Sequence, residues 1–224
     1  MYWQLNDCWG VCSWSSIDYY GNYKALQYGA RHFNAPVSVS IENTEEYIKL
    51  FVLNDLKEKQ DVTVTYDIFD FVSGTKQSDK KDVSIDAVKN ELVFELDVKS
   101  LAKAYDLKRT GVAVKLFKDG ELLQQKTVLF DKEKKLDLPK AKLKTRIEIK
   151  EDRLDITVKS DAYARLVKLE SADSVLPFSD NFFDILPNES KKVTIYKDSS
   201  MSLRKLAESI TVYSPVSYTH LTLP

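Results

Sequence analysis

The hydrophobic pattern of the chain changes at Val37, where apolar and polar residues begin to alternate with a period of two. Alternation of this kind is typical of strands that bury one face. It indicates seven short strands, at Val37–Ile41, Ile48–Val52, Val62–Ile68, Val83–Ile85, Leu92–Val98, Val112–Leu116 and Val128–Phe130. Their spacing predicts an immunoglobulin-like β-sandwich over residues 37–131, with one helical turn near Lys99 to Asp106.

A second, smaller group of strands follows a charged segment. Residues 132–144 contain Pro139 and only scattered apolar residues, so they are predicted to form a linker. Beyond them, apolar positions recur at Ile147–Ile149, Leu154–Val158, Leu166–Leu169, Val193–Ile195 and Ile210–Val212. This pattern predicts a second β-sandwich over residues 145–213.

Residues 1–36 follow a different pattern. A short apolar stretch precedes a loop rich in Trp and Ser, and a helical stripe follows at Tyr23, Leu26, Ala30 and Phe33. Asn22 is a suitable N-cap, and Pro36 would end the helix. The order predicts a βα unit, which needs neighbouring parallel strands to cover its edges. We therefore expect this unit to belong to a larger parallel sheet.

The composition excludes several classes of partner. The 224 residues are 43% hydrophobic and 11% aromatic, which is sufficient for buried cores. Because 33 Lys and Arg nearly balance 34 Asp and Glu, no net field favours nucleic acid or an anionic membrane surface. No apolar run approaches the roughly 18 residues that a membrane span requires.

The two cysteines, Cys8 and Cys12, offer three interpretations. A zinc site would need carboxylates in addition to His32 and His220, and a disulfide would need a tight turn between the thiols. Free cysteines usually pack as small apolar residues, which favours two buried thiols. We therefore expect no metal and no cofactor.

The aromatic segment at the start carries the most specific signal. Its motifs "YWQLNDCW", "SWSSIDYYG" and "KALQY" resemble the last strand, loop and helix of the catalytic barrel in β-mannosidases of glycoside hydrolase family 2. The similarity continues through "NAPVSVSIEN", and a second match, "YARLVKLE" with "FSDNFFDILPNESKKVTI", resembles the terminal immunoglobulin-like domain of the same enzymes. The resemblance implies a mainly β chain, with two immunoglobulin-like β-sandwiches preceded by the last βα unit of a TIM barrel.

The resemblance also implies an activity. Enzymes of this family release terminal non-reducing β-D-mannose from oligosaccharides with retention of configuration, through two glutamates on earlier barrel strands. We therefore expect a C-terminal fragment that carries no catalytic residue, is inactive alone, and has the missing upstream barrel as its partner. Asn90-Glu91 and Asn188-Glu189 only superficially match the family's Asn-Glu pair, since both fall in sandwich segments. The alternatives are another family 2 glycosidase, of the β-galactosidase or β-glucuronidase type, and a non-catalytic glycan-binding or structural sandwich module.

Four residues are candidates for substrate binding: Trp3, Asn6, Asp7 and Trp9. Residues that directly follow a barrel strand lie at the pocket, and an indole offers a flat face on which a sugar can stack. The two polar side chains would hydrogen-bond sugar hydroxyls, or would instead tie down their own loop. The family usually has Pro where this chain has Gly10, so the loop is expected to be less rigid.

Two further segments lead to weaker expectations. The turn in "FSDNFFDILP" is expected to be anchored in a core, with a calcium or sugar loop that uses Asp180, Asn181 and Asp184 as the alternative. Residues 214–224 end in "SYTHLTLP", which looks like translated vector sequence, so we expect a non-native tail. The localisation is left open between periplasm, extracellular space and lysosome.

Overall fold

The structure, a computed structural model, describes residues 3–172, 176–197 and 202–218. These residues form a mainly β chain with immunoglobulin-like domains. The elements, in chain order, are α1 (Ala25–Phe33), β1 (Val37–Asn43), β2 (Tyr47–Asn54), β3 (Gln60–Asp70), β4 (Gly74–Ile85), β5 (Lys89–Asp97), α2 (Val98–Ala104), β6 (Thr110–Lys118), β7 (Glu121–Leu129), a 3-10 turn (Glu133–Lys135), β8 (Leu143–Ile149), β9 (Arg153–Ser160), β10 (Ala164–Ser171), β11 (Phe183–Ile185), β12 (Ser190–Tyr196), α3 (Leu203–Ser209), β13 (Ile210–Tyr213) and α4 (Pro215–Tyr218).

The chain divides into two compact units. One consists of His32–Leu138, and the other combines the described residues up to Arg31 with those from Pro139 onward. The segment that precedes the first sandwich in sequence therefore packs with the second sandwich.

The first unit is a sandwich of two antiparallel sheets, with strand orders β1-β2-β5 and β4-β3-β6-β7. All seven strands predicted between Val37 and Phe130 are present. Alternate residues of β2 are fully buried, and they pack with the inward residues of the opposite sheet around Val64 and Val112. Burial of each such side chain stabilises the fold by about 1.5–3 kcal/mol. The predicted helical turn is α2, whose N-cap Asp97 accepts a hydrogen bond from the backbone N–H of Ser100 at 2.7 Å.

The second sandwich has three-stranded sheets in the orders β11-β10-β13 and β12-β9-β8. Its core contains the buried apolar residues of β9, β10 and β12, among them Ile156, Leu169 and Val193. Ala141, in the segment predicted as a linker, is buried as part of this core.

Helix α1 differs from its predicted form at its start, whereas it ends at Phe33, before Pro36, as predicted. It begins at Ala25, and the side chain of Asn22 donates to Asp18 at 2.8 Å, so the prediction of Asn22 as N-cap is wrong. Its buried residues are Tyr28 and Ala30, whereas Phe33, the last residue of the predicted stripe, is exposed.

The preceding residues form no regular strand within the described part. Two isolated bridges join Asn6 to Ile17 and Ile17 to Tyr23. The origin of this segment in a barrel therefore stays a prediction. The first two residues of the predicted strand lie outside the described residues.

Cys8 and Cys12 are free thiols, as expected, but the prediction that they are buried is wrong. Both are exposed because their loop lies on the surface, where the neighbouring Trp9 and Val11 are exposed as well. In the described ranges, no group of His, Cys, Asp and Glu side chains is arranged to hold a metal ion. None of the helices in these ranges is long and apolar enough to cross a membrane.

The end of the chain is described only in part. Ser214 is buried and donates to the carbonyl oxygen of Arg165 at 2.7 Å, and α4 follows it. His220 and the rest of the predicted tail from residue 219 lie outside the described residues.

Candidate functional site

The segment between residue 3 and helix α1 folds back on itself through backbone hydrogen bonds. Ile17 N–H donates to the carbonyl of Leu5 at 2.8 Å, and Asp7 N–H donates to the carbonyl of Ile17 at 3.1 Å. Lys24 N–H donates to the carbonyl of Ser16 at 2.9 Å. These bonds bring the residues before and after the loop of residues 8–14 together and connect them to the residue that precedes α1.

Asp7 is the buried centre of this segment. Its Oδ2 accepts from Lys24 Nζ at 2.9 Å and from Ser15 Oγ at 2.7 Å, and its Oδ1 accepts a short hydrogen bond from Ser13 Oγ. The carboxylate side chain is 0% exposed, while the Lys24 side chain is 29% exposed. Lys24 also donates to Ser15 Oγ at 2.6 Å and to the carbonyl of Ser13 at 3.3 Å. Together these four residues form a polar cluster.

The cluster holds Asp7 in its charged form. The hydrogen bond from Ser13, followed by those from Lys24 and Ser15, lowers the pKa of Asp7 to about 2, although burial opposes this shift. Hydrogen bonds to a carboxylate favour the charged form in this way. Asp7 is therefore ionised at neutral and mildly acidic pH.

The other three predicted site residues are exposed. Trp3 is 74% exposed and Trp9 is 64% exposed, and the side-chain amide of Asn6 donates to the carbonyl of Asp7 at 3.2 Å. The predicted set is thus split between a buried carboxylate and exposed groups around it. Their role in substrate binding stays a prediction.

Sequence reasoning missed Ser13, Ser15 and Lys24. The two serines flank Trp14, and residues two apart in an extended segment point to the same side. That spacing was a usable signal for the serine pair. No local pattern indicated Lys24, which lies 17 positions from Asp7.

The "FSDNFF" turn anchors helix α1 within the same unit. The ring of Tyr28 lies 5.9 Å from that of Phe182, and Arg31 Nη1 donates to the carbonyl of Ser179 at 2.7 Å. Burial raises the pKa of Tyr28, while hydrogen bonds involving Asn181 and the backbone of Phe178 act in the opposite direction. Phe178 and Ile185, on either side of the turn, lie in the buried core, so the expectation of a turn anchored in a core is confirmed.

The oxygen atoms suggested for calcium are engaged by other groups. Asp180 pairs with Lys191 at 2.9 Å, and Asp184 accepts from the hydroxyl of Tyr163 at 2.7 Å and pairs with Arg165 at 3.6 Å. The positive charges that balance these carboxylates are thus supplied by Lys191 and Arg165, where a calcium ion would otherwise supply them. This arrangement favours the structural interpretation of the turn.

A cleft of about 580 Å³ lies beside this turn. Its lining includes Tyr23, Tyr28, Lys168, Glu170, Asn181 and Phe182. Two of its charges neutralise each other, since Lys168 Nζ donates to Glu170 at 2.5 Å. A third, the carboxylate of Asp18, accepts hydrogen bonds from Tyr20 and Asn22. Glu170 also accepts from the hydroxyl of Tyr213 at 3.3 Å. The cleft is polar and aromatic, but its charges are satisfied within the protein.

Both Asn-Glu pairs lie in the sandwiches, as the sequence predicts. Glu91 is exposed on strand β5, and Glu189 is exposed at the residue before strand β12. Neither glutamate lies in the segment that holds the predicted site residues.

Two family models match the chain in succession. Residues 46–135 match a mannosidase Ig/CBM-like domain, and residues 138–218 match the Ig-fold domain of mannosidases. A β-mannosidase from Bos taurus is 29% identical over 222 residues, which cover 96% of this chain and 25% of the relative. A β-mannosidase from Capra hircus is 27% identical over 221 residues, with the same shares of the two chains.

Two solved structures superpose on nearly the whole chain. The crystal structure of a β-D-mannosidase from Dictyoglomus thermophilum superposes with a TM-score of 0.82 and 26% identity, over 95% of this chain and 25% of that one. An exo-chitosanase from Amycolatopsis orientalis shares the fold, with a TM-score of 0.70 and 16% identity, over 95% of this chain and 29% of that one. The chain thus spans about a quarter of the length of the curated relatives that it matches along its length.

Proposed function

We propose that this chain, which carries the two Ig-like domains of β-mannosidases in their order, is the C-terminal part of a retaining enzyme that hydrolyses terminal non-reducing β-D-mannose. One observation carries the proposal: the similarity to the Bos taurus β-mannosidase extends over 96% of the chain. The aromatic segment is therefore included as well as the sandwiches. The structural match to the Dictyoglomus thermophilum enzyme covers 95% of the chain.

The chemistry of retention requires two carboxyl groups about 5–5.5 Å apart. One attacks the anomeric carbon, while the other protonates the leaving oxygen and later takes a proton from the water that releases mannose. We propose that both glutamates belong to barrel strands outside these 224 residues. The exposed positions of Glu91 and Glu189 in the sandwiches support this assignment.

This chain would contribute to the rim of the substrate pocket. Trp3 and Trp9 offer exposed indole faces, and Asp7 of the polar cluster lies between them in sequence. Stacking of a sugar on such a face excludes water and orients the ring. We propose that these two residues contact mannose or the adjoining sugar in the assembled enzyme.

The second sandwich would act as a brace for the catalytic domain. Tyr28 and Arg31 of α1 both contact the "FSDNFF" turn, so the sandwich holds the helix that follows the aromatic segment. This contact favours a structural role over an independent glycan-binding module. A titration of the 224-residue chain with β-1,4-mannobiose distinguishes the two, because a glycan-binding module would bind the disaccharide.

The activity is tested with aryl glycosides. The 224-residue chain is expected to give no turnover of an aryl β-mannoside, while a longer product of the same reading frame that includes the barrel is expected to hydrolyse it. Aryl β-galactoside and β-glucuronide, assayed in parallel, test the other family 2 specificities. Turnover by the 224-residue chain would refute the assignment of the glutamates.

A further inference from the structure

We infer that Asp7 and Lys24 form a positioning pair that fixes the loop of residues 8–14, and that neither side chain contacts the sugar. The inference about the loop rests on the geometry of the polar cluster. The role that follows for the enzyme rests on the proposed function.

The carboxylate of Asp7 is not accessible to a sugar. Its carboxylate is 0% exposed and already accepts hydrogen bonds from Ser13, Ser15 and Lys24. A sugar hydroxyl could reach it only by displacing one of these donors. Loss of a donor would leave a buried charge without its full set of partners, which is costly. The structure therefore favours loop organisation over direct sugar binding for this residue.

The ammonium group of Lys24 is also fully hydrogen-bonded within the cluster. An ammonium group has three protons, and Lys24 Nζ has acceptors for all three: Asp7 Oδ2, Ser15 Oγ and the carbonyl of Ser13. Its charge is matched by that of Asp7 at 2.9 Å. No donor remains for a ligand.

The pair joins three parts of the segment. Asp7 precedes the loop, Ser13 and Ser15 lie at or just beyond its end, and Lys24 directly precedes α1. The loop is therefore closed at its base and connected to the helix that the second sandwich holds. Because Trp9 lies inside this loop, the pair determines the direction in which its indole projects.

The test uses a property of the sequence. All three tryptophans, Trp3, Trp9 and Trp14, lie in this segment, so the fluorescence anisotropy of the whole chain reports on it alone. The variants are Asp7→Asn, which keeps the shape without the charge, Lys24→Met, and the two combined. Asp18→Asn is the matched control, because the hydrogen bonds that Asp18 accepts among the described residues come from the nearby Tyr20 and Asn22 and close a local turn.

The expected result is a common effect of both single variants. Each lowers the tryptophan anisotropy and accelerates amide exchange in peptides from residues 3–24 by about tenfold or more, since the local structure opens more often. The double variant shows no lower anisotropy and no faster exchange than either single variant, because each residue acts through the other. Asp18→Asn leaves the anisotropy near that of the parent. Unchanged exchange in both Asp7→Asn and Lys24→Met would overturn the inference.

A second arm uses the longer protein with the barrel. Displacement of a substrate-positioning group by about 1 Å can reduce the rate about a hundredfold. A positioning role predicts equal losses of kcat/KM for Asp7→Asn and Lys24→Met, no further loss in the double variant, and recovery in Lys24→Arg. A direct sugar contact by Asp7 predicts a much milder Lys24→Met and would refute the positioning role. Absence of activity in the parent would refute the proposed function, while the exchange data would still decide the role of the pair.

Discussion

Removal of the Asn181 side chain is expected to destabilise the second sandwich. Asn181 Nδ2 donates to the carbonyl of Leu169 at 2.8 Å, and its Oδ1 accepts from Leu169 N–H at 2.8 Å and from Phe182 N–H at 2.9 Å. The side chain thus pairs with β10 as a neighbouring strand would, just before β11 begins.

The magnitude follows from the burial of these groups. Leu169 is 1% exposed, so Asn181→Ala leaves its backbone N–H and C=O buried without this partner. Each unsatisfied buried group costs about 1–3 kcal/mol, so the free energy of unfolding should fall by about 2 kcal/mol or more. Asn181→Asp should be intermediate, because a carboxylate still accepts hydrogen bonds but cannot donate to Leu169.

The assay is urea unfolding followed by circular dichroism, with amide exchange used to assign the loss to β10 and β13. The matched control is Asn90→Ala, an exposed position on strand β5 of the other unit, which should change stability by no more than about 0.5 kcal/mol. A change of that small size for Asn181→Ala would show that the side-chain pairing is dispensable.

Two other predictions concern packing and charge. A Cβ at Gly111 would lie 2.9 Å from a ring carbon of buried Phe69, so Gly111→Ala should lower the free energy of unfolding by about 1–3 kcal/mol. A Cβ at Gly29 of α1 would meet no atom within 4 Å, so Gly29→Ala should raise the free energy of unfolding by about 0.4–1 kcal/mol. Thermal unfolding of the two variants that gave the reverse order of stability would contradict this packing. The pKa of Asp7 is lowered to about 2, so the stabilisation from its charge is fully present above the unfolded-state value near 3.9 and is lost as the pH falls towards 2. Tryptophan anisotropy should therefore fall over this acid range in the parent, and the same acid step in Asp7→Asn would contradict the assignment to Asp7.

Much of the fold could be predicted from the sequence, because strand alternation is a local property. Every predicted strand of the first sandwich is present, since one face of each is buried against the same core. The alternation predicted too short a strand for β4, because only the residues from Val83 onward alternate. Residues 75–82 of this edge strand are exposed, so they carry no alternating pattern.

Less of the candidate site could be predicted. The sequence identified Asp7 as a polar residue of interest but left open whether it faces a sugar or its own loop. The answer depends on Lys24 and the two serines, which come within hydrogen-bond distance only after the segment folds back.

The sequence by itself determined the strand period, the order of the two sandwiches and the similarity to β-mannosidases, because each of these is written in short runs of neighbouring residues. Only the tertiary structure decided that Asp7 is buried against Lys24, that Cys8 and Cys12 are exposed, and that the "FSDNFF" turn holds α1. The physical reason is that burial and hydrogen-bond partners depend on residues far apart in the chain, and no local pattern records which of them will meet.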